Sequence, residues 1–102
     1  MSPKAPAKMD VHSAWKAWTT SGSPEAASDF LGRIGPWTEG TAAQLTRGGA
    51  RRDRPWLTRE EVAQRLRHQL GVVAGEASVT YMEALHRARR EVIAELLRPP
   101  LS

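Results

Sequence analysis

The chain has 102 residues, 40% of them apolar, no cysteine and a formal charge of +4. That allows one domain with a modest core and excludes a disulfide framework, a thiolate nucleophile and a thiolate metal site. No apolar run approaches the roughly 20 residues that span a bilayer, and the basic start at Lys4 and Lys8 leads into no apolar secretory segment, so the expected setting is the cytoplasm, without membrane contact.

Residues 1–9, with Pro3 and Pro6, read as a disordered tail. A first helix is expected from Asp10, because Val11, Ala14, Trp15 and Trp18 recur at helical spacing, with Gly22 after its end. Ser23 as N-cap, Pro24 at the first helical position and Glu25 near the positive end of the dipole announce a second. Its stripe is Ala27, Phe30, Leu31 and Ile34, closed by Gly35-Pro36. A shorter third helix is expected over 39–46 through Ala42, Ala43 and Leu45, with Gly48 following.

The best-marked start is Thr58, at capping-box spacing from Glu61, with Leu57 and Val62 placed as a hydrophobic staple. Val62, Ala63, Leu66, Leu70 and Val73 form its inner face; Arg59, Arg65, Arg67 and His68 fall on the flanks or outside, and Gly71 reads as the stop. The last helix repeats the device at Thr80 and Glu83, with Val79 and Ala84 at the staple positions, and should run to Leu97 before Pro99-Pro100. Its apolar face is Tyr81, Leu85, Ala88, Val92 and Leu96, broadened by Met82, Ile93 and Leu97. Neither 71–73 nor 77–81, the only β-branched clusters, alternates as a strand would.

The expected fold is therefore all-α: a small bundle of four to five helices with disordered termini and a basic Gly/Arg loop. It forms a single helical domain over 10–98, with a tail at 99–102. Within it, 10–46 is a neutral, Trp-containing half, 47–57 the basic loop and 58–98 a long helical pair.

Charge is distributed unevenly along this frame. From Arg47 to Arg67, seven Arg face only Asp53, Glu60 and Glu61, while the segments before and after sum to zero. So local a positive field attracts polyanions or an acidic protein surface. Twelve of the fifteen basic residues are Arg, whose planar fork suits phosphate. Arg51, Arg52, Arg54 and Arg59 are the expected phosphate contacts, with Arg65, Arg67 and Arg87 as further candidates.

The phrase from Leu57 to Leu66 (LTREEVAQRL) resembles the opening helix of helix-turn-helix regulators of the excisionase and MerR type. The resemblance covers ten residues and implies a recognition helix that would present Ser78, Thr80, Tyr81, Glu83, His86 and Arg87 to DNA. The chain departs from the pattern after Leu66, where the helix continues and the connection is longer than a tight turn.

Trp15 and Trp18 share a helical face and form the candidate aromatic site for a partner; Trp37 and Trp56 sit beside prolines and read as loop residues that fill a core. Glu83 and His86 stand at Glu-x-x-His spacing, but one copy is not a di-metal site, and no metal or cofactor is expected. There is no nucleophile elbow and no phosphate-binding glycine loop, and the adjacent Glu60 and Glu61 point about 100° apart, so no enzyme is expected. The apolar stripe of the last helix exceeds what the Thr58 helix covers; either the first half of the chain packs on it or a second copy does, giving a homodimer through 80–97.

Two functions fit. The first is a small non-enzymatic nucleic-acid-binding accessory or regulatory protein, with DNA expected ahead of RNA. The second is a protein-binding adaptor or inhibitor that docks on an acidic surface through the arginines and the Trp face.

Overall fold

The computed structural model describes residues 10–47, 58–76 and 79–97, which hold five helices and no strand. The loop arginines Arg51, Arg52 and Arg54, the residues Trp56, Leu57 and Ser78 and both expected tails lie outside the described residues.

Helix α1 spans Val11–Ser21. The Asp10 carboxylate accepts the Ser13 backbone N–H at 2.9 Å, which satisfies one orphan donor of the first turn and holds the carboxyl below its usual range. Gly22 ends the helix at φ 68°, a left-handed conformation that costs a side-chain-bearing residue strain. Helix α2, Pro24–Arg33, starts as the sequence implies, with the Ser23 hydroxyl accepting the Ala26 N–H.

Helix α3 spans Gly35–Leu45, beginning four residues before the expected Glu39. Gly35-Pro36 is thus not a closing loop but the first turn of the next helix, where proline lacks only an N–H that has no helical partner anyway. Trp37, read as a loop residue, is consequently helical.

Helix α4 spans Arg59–Ala74; the Thr58 hydroxyl accepts the Glu61 N–H at 3.1 Å. Gly71 does not stop it. The helix continues to Ala74, and Val73 in this last turn reaches the core, where it is 2% exposed. Helix α5 spans Tyr81–Leu97, and Thr80 caps it by accepting the Glu83 N–H.

Helices α4 and α5 pack antiparallel along their length: Arg65 meets Glu95 near one end and Arg87 meets Glu76 near the other. Such lengthwise pairing is not the near-perpendicular crossing of a helix-turn-helix. The pairing thus departs from the arrangement that the resemblance of 57–66 implies.

Two apolar clusters lie along this hairpin. At the end where α4 leads to α5, Leu70, Val73, Ala84, Leu85 and Ala88 close around Ala14, Trp15, Phe30 and Ile34 from the first two helices and the bend after them. At the other end, Val62, Ala63, Leu66, Val92 and Leu96 close around Ala42 of α3. Trp37 packs against both and joins them. The buried part of the α5 stripe, Ala84, Leu85, Ala88, Val92 and Leu96, is covered by α4 together with residues of the first half of the chain, while Met82 stays exposed. Each fully buried Leu or Phe contributes about 1.5–3 kcal/mol of transfer free energy.

Candidate functional site

Helix α3 ends where α4 begins, so Arg47 and Arg59 lie at one pole of the molecule, beside the C-terminus of α5. An open groove of about 590 Å³ at this pole is lined by Ala43, Thr46, Arg47 and Arg59. Thr46 turns its hydroxyl inward, donating to the carbonyls of Ala42 and Ala43, and so finishes α3 without a glycine. Arg47 and Arg59 are exposed and make no ion pair among the described residues. Their positive charge faces solvent at the groove and is neutralised by no carboxylate among the described residues.

The other candidate arginines are placed differently. Arg65 is held in the α4/α5 seam, its Nη1 donating to Glu95 at 3.3 Å and its Nη2 standing 3.7 Å from Glu61. Gln69 donates to the second oxygen of Glu95. The Arg65 Nε is buried without a hydrogen-bond partner among the described residues, so this side chain is fixed by packing as well as charge. A smaller groove of about 330 Å³, lined by Gln64, Arg65, His68 and Glu95, carries both signs of charge and does not suit a polyanion. Arg67 is half-buried and makes no ion pair among the described residues.

Arg87 is bound in a two-pronged pair with Glu76, at 2.6 and 3.0 Å. It clasps the start of the α4–α5 connection to α5 rather than facing a ligand. The hydrogen bond from Arg87 holds the Glu76 carboxyl below its usual range, and Glu76 in turn raises Arg87. A lowered carboxylate pKa contributes stability that is complete above the ordinary glutamate range and is lost as pH falls through the lowered value. Glu76 is exposed and Arg87 partly so, and solvent screening keeps the contribution small. Arg87→Ala should therefore lose some stability at neutral pH, and the deficit relative to the parent should shrink under acid. Unfolding midpoints followed by circular dichroism from neutral into acid pH test this; a deficit that stays constant would show that the pair is not what Arg87 contributes.

The aromatic pair is packed largely inward. Trp15 is 3% exposed, its ring centroid 5.1 Å from that of Phe30, and its Nε1 donates to the Val79 carbonyl at 2.8 Å. Trp18 is half-buried against the same Phe30 at 5.7 Å. The shared face of α1 that the spacing of the two tryptophans defines is the face that packs inward.

Among the described residues no group of three His, Cys, Asp or Glu is placed to hold a metal ion, and no helix is long and apolar enough to cross a membrane. Comparison with protein-family models, with curated proteins and with solved structures gives no match. The reading of this surface rests on its own chemistry.

Proposed function

We propose that this is a small non-enzymatic nucleic-acid-binding protein that holds backbone phosphates at the pole where α3 ends and α4 begins. One observation carries the reading. Arg47 and Arg59, unpaired among the described residues, line the same groove and flank the segment that contains Arg51, Arg52 and Arg54. Guanidinium groups free of carboxylate partners are suited to charge-assisted, two-pronged bonds to phosphate oxygens. Phosphate contacts position a protein without specifying sequence, so DNA is proposed ahead of RNA only as the first probe. The adaptor reading loses its aromatic anchor with Trp15 in the core.

The test is a titration of the protein into labelled duplex and single-stranded oligonucleotides, read by anisotropy at several salt concentrations. Binding should weaken steeply with salt, and Arg47→Ala/Arg59→Ala should lower the slope of log K against log salt by about 2, since each duplex phosphate contact contributes about 0.9. Absence of binding at low salt, or an unchanged slope in the double variant, would rule out this function for the pole.

A further inference from the structure

Helix α5 carries three arginines near its middle, and the fold treats them unequally. Arg87 is consumed by Glu76. Arg89 and Arg90 are exposed and make no ion pair among the described residues. At 100° per residue, Met82, His86, Arg89, Arg90 and Ile93 share a sector about 100° wide that contains no carboxylate. Glu91 and Glu95 fall on the other side of the helix, where Glu95 is already paired with Arg65. Glu83 lies at the sector's edge, two turns from Arg90 and one turn from Arg87, whose charge it supports. The sector's middle is a positive row without an ion-pair partner among the described residues. It begins about 10 Å along the helix from the C-terminal end of α5, which lies at the same pole as Arg47 and Arg59. That distance corresponds to about three phosphate steps on one DNA strand.

We propose that Arg89 and Arg90 form a second row of phosphate contacts, so that a bound nucleic-acid backbone extends from the pole along α5. This inference rests on the nucleic-acid reading above and adds to it the path of the strand and two residues outside the Arg47–Arg67 cluster. A second copy is a poor occupant for the row. A two-fold axis near the middle of α5 would set Arg89 and Arg90 against their own counterparts, which repel.

The experiment compares Arg89→Ala/Arg90→Ala, Arg89→Lys/Arg90→Lys and Arg87→Ala with the parent, using labelled duplex DNA and, separately, polyglutamate as probes. Exposed helical positions accept alanine without loss of helix, and circular dichroism checks that the fold is retained. The alanine pair should weaken duplex binding roughly tenfold at ~0.1 M salt and lower the salt slope by about 2, equally for unrelated sequences. The lysine pair should keep the slope, and Arg87→Ala should leave it unchanged. If the alanine pair binds duplex with the parent's slope while Arg47→Ala/Arg59→Ala does not, the second row is wrong and the pole reading survives. If no variant, nor the parent, binds duplex, both fall together. Polyglutamate binding that depends on Arg89 and Arg90, without duplex binding, would reassign the row to an acidic protein partner and overturn the proposal.

Discussion

Phe30→Ala is expected to lower the unfolding free energy by about 3–5 kcal/mol, out of roughly 5–15 for a typical domain. Phe30 is fully buried, and its ring meets Trp15, Trp18 and Tyr81 at centroid distances of 5.1, 5.7 and 6.1 Å. Tilted and edge-on ring pairs of this kind contribute beyond area alone. The surrounding rings are large and rigid, so the cavity left by the deletion collapses poorly, which places the loss toward the upper part of that range. Urea titration monitored by tryptophan fluorescence provides the number. A loss below about 1 kcal/mol would mean that the aromatic cluster is not packed as described.

Leu66→Ala should cost about 2–5 kcal/mol through the other cluster, where Leu66 is fully buried among Ala42, Val62, Val92 and Leu96. The informative comparison is between the two variants. Leu66 and Phe30 belong to separate clusters, but α4, α5 and Trp37 contribute to both. Each variant should therefore unfold in one transition, seen at the same denaturant concentration by fluorescence and by far-ultraviolet circular dichroism. If Leu66→Ala separated the two signals, the halves of the hairpin would be independent cooperative units, and Trp37 would not be coupling them.

Much of the secondary structure is legible because its signals are local. Asp10, Ser23, Thr58 and Thr80 each accept a backbone N–H three residues on, the geometry implied by their positions before apolar-periodic runs. The misreadings also have local causes. Gly35-Pro36 signals a break equally well whether the proline follows one helix or opens the next. Gly71 reads as a stop, but glycine weakens a helix by only about 1 kcal/mol, a deficit that burial of Val73 outweighs.

The candidate site was legible only as composition. Its sorting into paired and unpaired arginines depends on contacts between distant positions. The Arg65–Glu61 pair follows from helical spacing, but Glu95 is 30 residues from Arg65 and Glu76 is 11 from Arg87 across a helix boundary. Spacing sets Arg87 between Glu83 and Glu91, each four residues away, and leaves Arg89 and Arg90 without such neighbours, but it does not reveal that the carboxylate clasping Arg87 is Glu76. The tryptophans mislead for a related reason. An apolar pair on one face of a short helix has the same pattern whether it meets a partner or its own chain, and the partners here include Phe30 and the Val79 carbonyl.

The bond from the Trp15 indole to Val79 joins positions 64 residues apart, and this bears on the order in which the molecule assembles. The first two helices are synthesised first, yet the residues that complete their cluster, Leu70, Val73, Ala84, Leu85 and Ala88, are added much later. Until α5 exists, Trp15 and Phe30 have no complete enclosure, and the isolated N-terminal helices are too short to persist on propensity alone. The hairpin of α4 and α5, close in sequence and rich in mutual contacts, can form with little loop-closure cost. Burial of Trp15 therefore depends on residues made long after it, and a chain interrupted before α5 would leave that indole without its carbonyl partner and much of its apolar enclosure.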